Sequence, residues 1–348
     1  MPKSNQVLGI IGGGQLGSML ASAAKKLHIK TVILTDDRKA PAKNFCDEII
    51  FSDYEDEKKI SEFANKVDIV TFEFENIPFG VLNTISKSKK ILPDPKINQI
   101  VQNRKKEKTF INDIGIQTTS WAYIKSKEDI IKNKSLLPGL LKTCTLGYDG
   151  RGQFLINDLD KIDEKLDFSN EYILEKLVNF KKEISVVLTR YLNGEFSIYE
   201  PFENKHKNQI LIISKIPADI GRKVFEQSKV SAKLIAEKLN YVGTMCVEFF
   251  LDKDDNLLVN EIAPRVHNSG HLTINAFNVS QFENHLRSVC GLERVELKKI
   301  KNAEMTNIIG EQILNYRNKN FNKNEFFFDY LKTEIKEKRK MGHITILK

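Results

Sequence analysis

Glu248 and Glu261 are the residues of this 348-residue chain whose spacing most directly implies chemistry. They bracket the segment EFFLDKDDNLLVNE, in which two apolar, β-rich runs flank a turn centred between Asp254 and Asp255. In an antiparallel hairpin, residues equidistant from the turn centre pair directly, and the two glutamates are equidistant from it. Their carboxylates are expected on one side of the sheet with Cβ atoms about 5 Å apart, among Phe249, Phe250, Leu257, Leu258 and Val259. Like charges so placed repel unless a cation lies between them, and a hard divalent ion such as Mg²⁺ takes carboxylate oxygens. Arg265, His267, Asn268, Ser269 and His271 follow within ten residues of Glu261. An arginine there suits bidentate contact with phosphate or carboxylate. His267 and His271 have the spacing of helical zinc ligands, but the Asn-Ser-Gly between them disfavours the helix that such a pair needs.

Two glycine loops offer phosphate chemistry. Gly12-Gly13-Gly14-Gln15-Leu16-Gly17 fits G-x-G-x-x-G, follows a strand, opens a helix and is trailed 19 residues later by Asp36. That is a dinucleotide fingerprint. Its physical core is more general, because a helix N-terminus offers unpaired N–H groups to any anion. NAD, another phosphate and a plain structural turn all remain open for this loop. The second loop, Gly147-Tyr148-Asp149-Gly150-Arg151-Gly152-Gln153, lies between two strands and lacks the Gly-Lys-Ser/Thr ending of a Walker A loop. A glycine-rich hairpin can lay its amides over phosphates as a flap, with Lys142 on the preceding strand as a point charge. The alternative is an ordinary mobile hairpin.

The elements that must position these groups fall into three stretches. Up to about residue 100, strands at Val7–Ile11, 31–35, 49–51 and 67–74 alternate with helical spacing, as at Leu16, Met19, Leu20, Ala23 and Leu27, a parallel α/β pattern. The run Leu92-Pro93-Asp94-Pro95 reads as a boundary. From about 100 to 290, a helix near 96–114 precedes strands at 139–142, 154–156, 172–175 and 183–190, a hairpin at Asn193-Gly194, a helix at 228–239 and the two glutamate strands. This is an α+β pattern. The last 58 residues read as short strands and charged segments.

Composition excludes several classes. No apolar run approaches the roughly 20 residues of a membrane span, and the N-terminus lacks a signal-peptide layout. Four scattered cysteines without a CxxC pair fit a reducing cytoplasm and argue against a disulfide framework. The net charge of +8 comes from 54 basic residues mixed with 46 acidic ones. That balance suits phosphorylated small molecules, and no nucleic-acid motif accompanies it.

Taken together, GIIGGGQLGSML, TFEFENIP, LKTCTLGYDGRGQ, ILEKLVNFKKEIS, VEFFLDKDDNLLVNEIAPRVHNSGH, SQFENHLR and RKMGH resemble the ATP-grasp superfamily. Within it they resemble the 5-(carboxyamino)imidazole ribonucleotide synthase family of purine biosynthesis, along essentially the whole chain. The resemblance implies an α/β and α+β architecture: an N-terminal Rossmann-like domain over 1–100, a central ATP-grasp domain over 101–290 with a mobile lid at about 120–176, and a small C-terminal domain over 291–348. It implies a cytoplasmic, homodimeric ligase that forms a carbon–nitrogen bond between bicarbonate and the amine of 5-aminoimidazole ribonucleotide while ATP becomes ADP and phosphate. No nucleic-acid or membrane partner is implied.

Residue by residue, the resemblance puts Lys108 and Lys142 on the ATP phosphates with Arg104 close by, beside the flap residues Gly147, Gly150, Gly152 and Gln153. Glu175, Lys176, Leu177 and Val178 would read the adenine, Glu183 the ribose, and His206 and Asn260 would line the nucleotide site. Glu248 and Glu261 would hold two Mg²⁺ ions. The first glycine loop would face the ribonucleotide substrate through Gly14, Gln15 and Leu16, with Glu73 and Asn76. Tyr148, Asp149, Arg265 and His267 would carry the chemistry, with Asn268 and Ser269 beside them and Lys332 and Arg339 on the substrate phosphate. Thr143-Cys144-Thr145-Leu146 stands where the family has one or two basic residues, and Leu331 where a glycine is common. A formate-dependent glycinamide ribonucleotide transformylase would share the architecture. An NAD-dependent dehydrogenase reading rests only on the first loop and Asp36.

Overall fold

The computed structural model describes residues 6–145, 152–161 and 166–348. The chain opens with β1 (Val7–Ile11), α1 (Gln15–Lys26), β2 (Lys30–Thr35), β3 (Glu48–Phe51), α2 (Glu57–Lys66), β4 (Ile69–Phe72), α3 (Phe79–Ser86) and β5 (Lys90–Ile91). The strands form a parallel sheet in the order β3-β2-β1-β4-β5, whose buried runs of Leu, Ile and Val suit strands covered on both faces. This is the expected Rossmann-like arrangement. The helix expected near 96–114 is two helices, α4 (Pro95–Val101) and α5 (Arg104–Asp113). Asn103 interrupts them: its backbone is extended (φ −123°, ψ 111°) and its side chain accepts from Lys106 N–H, capping α5.

β6 (Trp121–Ile124), α6 (Lys127–Lys132), β7 (Gly139–Thr143), β8 (Gln153–Ile156) and β9 (Tyr172–Lys176) follow. Their strands make a separate antiparallel sheet, β6-β9-β7-β8, over the segment expected as a lid. Next come β10 (Phe180–Arg190), β11 (Phe196–Ile198), β12 (Phe202–Lys207), β13 (Ile210–Ile216), α7 (Arg222–Lys238), β14 (Gly243–Asp252), β15 (Leu257–Ala263), α8 (Thr273–Ala276) and α9 (Gln281–Val289). The C-terminal stretch adds β16 (Ala303–Ile309), α10 (Gln312–Arg317), β17 (Glu325–Asp329) and β18 (Lys340–Leu347). Its strands extend the central sheet: the order is β15-β14-β10-β12-β13-β16-β18-β17, with β11 beside β10.

The β14–β15 hairpin pairs Glu248 with Glu261 as expected, by a different route. Near the turn the pairs are Leu251 with Leu257, Phe250 with Leu258 and Phe249 with Val259, one position out of the expected register. The turn is longer than two residues: Asp252 N–H donates to Asn256 C=O across it, and Asp255 sits at φ +65°. A β-bulge at Asn260 then absorbs one residue and brings the glutamates opposite each other. Such bulges re-aim side chains beside functional sites.

α9 ties the N-terminal sheet to the rest. Leu286 and Val289 share one apolar core with Leu8, Leu20 and Tyr330, and His285 Nε2 lies 2.7 Å from Thr71 Oγ1 of β4.

Candidate active site

The four-stranded and nine-stranded sheets enclose a cavity of about 1320 Å³ that continues to the first glycine loop. Lys142, Gln153, Glu175, Lys176, Leu177 and Val178 line one wall. Glu183, His206, Glu248, Asn260 and Glu261 line the other, and Arg104 stands at the wall between them. Gly14, Gln15, Leu16, Glu73 and Asn76, with Arg265, His267 and Asn268, line the far end. Tyr148 and Asp149, with Gly147 and Gly150, lie outside the described residues. Gly152 is not on the cavity wall; its carbonyl accepts from Thr143 N–H at the end of β7.

Two lysines converge on Glu175. Lys108 Nζ lies 2.9 Å from Glu175 Oε1 and Lys142 Nζ 2.5 Å from Oε2, and all three are buried. Burial opposes the Glu175 charge, yet the two lysines draw its carboxyl down to about 2. Burial pushes the Lys142 ammonium down against the pull of Glu175. Two lysines sharing one carboxylate leave a buried positive surplus, which suits an anionic ligand. The Glu175 carboxylate therefore holds the two lysines together. Lys108 does not line the cavity itself; it also donates to the Asn260 carbonyl at 2.9 Å, pinning the bulge.

Sequence reasoning missed Glu107. It is buried on α5, accepts from Ile262 N–H at 2.6 Å and lines the cavity beside Glu261. Burial, with Glu261 adding to it, raises its carboxyl to about 7. Burial and then Glu261 likewise raise Glu248 to about 7. Arg104 Nη1 stands 3.7 Å from Glu261. No group of three His, Cys, Asp or Glu suited to a metal occurs among the described residues. The donor set at the hairpin is instead two opposed carboxylates, of which Glu248 is the buried one, which fits a hard cation that completes its shell with phosphate and water oxygens. His206 Nδ1 lies 2.8 Å from Glu183 Oε2. Burial lowers the His206 imidazole, but Glu183 and Glu248 prevail and raise it.

Arg265 meets Glu75, a second residue that the sequence reading passed over, through Nε and Nη2, the latter 3.1 Å from Oε1. Against burial, the guanidinium holds Glu75 below the usual carboxylate range. The pair joins the loop after β4 to the loop after β15. His267 Nε2 is 3.3 Å from Glu248 Oε1. Ser269 is fully buried behind His267 and does not line the cavity. Asn268 Nδ2 donates to Asn307 Oδ1 of β16 at 3.1 Å, so the C-terminal strands position it. His271 is buried away from the cavity among Phe282, Tyr330 and His343.

Of the readings left open for the first glycine loop, the dinucleotide one fails. Its anion site is filled from within: Gly14 N–H and Gly17 N–H both donate to the Glu73 carboxylate. The glycines there make room for that side chain and for the turn. Gly12 sits at φ +102°, and a Cβ on Gly17 would lie 2.6 Å from the Gly12 carbonyl oxygen. With the helix N-terminus occupied by Glu73 and Asp36 exposed at the end of β2, the loop is not a dinucleotide pyrophosphate site. Gly17→Ala is expected to cost about 1–3 kcal/mol through that backbone contact, read as a lowered denaturant midpoint at unchanged slope.

The basic C-terminus also differs from expectation. Lys332 donates to the Lys340 carbonyl at 2.8 Å, and Arg339 to the Glu334 carbonyl at 3.1 Å; neither lines the cavity. Lys340 does, and its charge acts on Glu248 and His267. Leu331, where a glycine is common, adopts φ +54°. Leu331→Gly relieves that left-handed strain and is expected to stabilise the chain by about 1 kcal/mol, measured as a raised midpoint of thermal unfolding.

Comparison with known proteins agrees with this geometry. Residues 109–282 match the ATP-grasp domain family, residues 5–102 the ribonucleotide synthetase preATP-grasp domain and residues 303–348 the phosphoribosylaminoimidazole carboxylase C-terminal domain. Fold and site are thus those of an ATP-grasp enzyme. N5-carboxyaminoimidazole ribonucleotide synthase from Bacillus subtilis (strain 168) is 38% identical over 98% of this chain and 91% of its own length. The Staphylococcus aureus N5-carboxyaminoimidazole synthetase complexed with ADP superposes with a TM-score of 0.93 at 35% identity, over 100% of this chain and 95% of that one. The Aspergillus clavatus N5-carboxyaminoimidazole synthase in complex with ADP and 5-aminoimidazole ribonucleotide gives 0.91 at 28% identity, over 99% and 94%. The chain belongs to the N5-carboxyaminoimidazole ribonucleotide synthase family.

Proposed function

We infer that this chain uses ATP to carboxylate the amine of 5-aminoimidazole ribonucleotide, giving N5-carboxyaminoimidazole ribonucleotide, ADP and phosphate in purine biosynthesis. The observation that carries the reading is the cavity between the two antiparallel sheets, with the Lys108–Glu175–Lys142 cluster on one side and the opposed Glu248 and Glu261 on the other. The Aspergillus clavatus relative with ADP and the ribonucleotide bound supports it. The carboxyl donor is bicarbonate. One of its oxygens attacks the γ-phosphorus, the bond to the ADP oxygen breaks, and carboxyphosphate forms. The substrate amine then takes the carboxyl carbon, losing a proton, and phosphate leaves.

Lys142 binds the nucleotide phosphates from the cavity wall, Lys108 adds its charge from behind through Glu175, and Arg104 lines the same cavity; positioning and neutralisation supply most of the catalysis in such transfers. Glu248 and Glu261 would hold two Mg²⁺ ions, which when bound neutralise charge on the transferring phosphoryl group. Arg265, His267 and Asn268 face the ribonucleotide end with Gln15, Leu16 and Asn76. Tyr148 and Asp149 are assigned to the flap over the reacting groups, with Asp149 accepting the amine proton. Lys340 at the cavity wall and Lys332, whose charge reaches Glu73, are the candidates for the substrate phosphate, ahead of Arg339, which is turned to the Glu334 carbonyl. The enzyme is assigned to the cytoplasm as a homodimer; no helix among the described residues is long and apolar enough to cross a membrane. Incubation with ¹⁴C-bicarbonate, ATP, Mg²⁺ and the ribonucleotide tests the reading. Acid-labile label in a ribonucleotide product, one per ADP formed, is expected; ADP formed without label in that product would overturn it.

A further inference from the structure

A chain of buried hydroxyl and amide groups runs from β13 to His267. Ser214 Oγ donates to Asn204 Oδ1 at 2.7 Å, Asn204 Nδ2 to Ser185 Oγ at 2.9 Å, and Ser185 Oγ to Ser269 Oγ at 2.9 Å. Ser269 Oγ lies 2.8 Å from His267 Nδ1. Ser185, Ser214 and Ser269 are fully buried, and Asn204 is exposed only at the cavity wall.

The direction of this chain is fixed at one end. The Ser269 main-chain N–H also points at His267 Nδ1, 3.3 Å away, and a main-chain amide can only donate. Nδ1 is therefore the acceptor, and the imidazole proton sits on Nε2, 3.3 Å from Glu248 Oε1. The Ser269 hydroxyl spends its single proton on Nδ1, so its oxygen accepts from Ser185. Ser185 in turn accepts from the Asn204 amide nitrogen, and the Asn204 carbonyl accepts from Ser214. Every member has one consistent polarity. The backbone of His267 is held independently: its N–H donates to Gln281 Oε1 at 2.9 Å and its carbonyl accepts from Gln281 Nε2 at 2.7 Å.

We propose that Ser185, Asn204 and Ser214 are positioning residues that act through Ser269 to hold His267 as the Nε2–H tautomer, with the protonated nitrogen on the cavity side of the ring, 3.3 Å from Glu248 Oε1. Their effect on turnover rests on the function assigned above; their effect on the tautomer does not. Groups that orient a site residue in this way are typically worth about 10–100-fold when removed.

The experiment uses the full-length enzyme with ¹⁵N-labelled histidine. In the wild type without ligands, His267 is expected to show a protonated Nε2 and an unprotonated Nδ1. Ser185→Ala is expected to mix in the Nδ1–H tautomer and to lower kcat about tenfold, with KM for ATP within about twofold of wild type. Ser214→Ala, at the far end of the chain, gives the same pattern more weakly and serves if Ser185→Ala fails to fold. Ser185→Thr, which keeps the hydroxyl, restores both readouts. A wild-type His267 protonated on Nδ1 overturns the proposal. So does a folded Ser185→Ala or Ser214→Ala enzyme with an unchanged His267 pattern, whatever its kcat.

Discussion

Glu261→Gln should lower kcat by about 10²–10³-fold while the folded protein survives. The amide keeps the volume and the position in the β14–β15 ladder but loses one of the two carboxylates opposed across it. Without a cation the pair is a source of repulsion, so neutralising one member does not weaken the apo fold. The same physics sets a pH dependence. Glu248 and Glu107 are each raised to about 7 by burial, with Glu261 adding to both. Between the ordinary carboxylate range and about 7, the folded state holds protons that the unfolded chain has released, so apo stability falls as pH rises through that window. Glu261→Gln removes the repulsion and flattens the fall. Mg²⁺ with ATP should do likewise in the wild type. Thermal unfolding at pH 5 and pH 8 reads this directly; a wild-type kcat in Glu261→Gln would remove the metal assignment.

Arg265→Ala should be the most destabilising single change at the site. It strands Glu75, a carboxylate held charged against burial by a bidentate guanidinium, and breaking one half of such a buried pair costs about 3–5 kcal/mol. The pair spans the loop after β4 and the loop after β15, so its loss also loosens the ribonucleotide end from the phosphate end. Arg265→Lys keeps the charge but not the two-pronged contact, and should retain most of the stability while losing turnover. Equal denaturant midpoints for wild type and Arg265→Ala would show that the pair does not tie the two loops together.

Much of this was readable in the residues, for reasons that differ from place to place. Hydrophobic period and turn chemistry located the strands of the first sheet and the glutamate hairpin. The facing of Glu248 and Glu261 was anticipated from a two-residue turn; a longer turn and a bulge at Asn260 produce it instead, two departures that cancel. Bulges leave no local signal. The first glycine loop stayed open to several readings because its pattern records only that something comes close to the helix start. Here that something is Glu73, far along the chain, and not a phosphate. Glu107 was invisible because its partner is the main-chain N–H of Ile262, whose proximity depends on how α5 packs against β15. Lys340 was passed over for Arg339 because which of two neighbours faces the cavity depends on the start of β18. The family resemblance supplied the substrate, which no spacing argument reaches.

The most direct test of the whole account is ADP release from ATP with Mg²⁺ and bicarbonate, measured with and without 5-aminoimidazole ribonucleotide. The account predicts release that depends on the ribonucleotide and disappears when EDTA removes the metal. Release driven instead by formate with glycinamide ribonucleotide, or none with any acid, would contradict it.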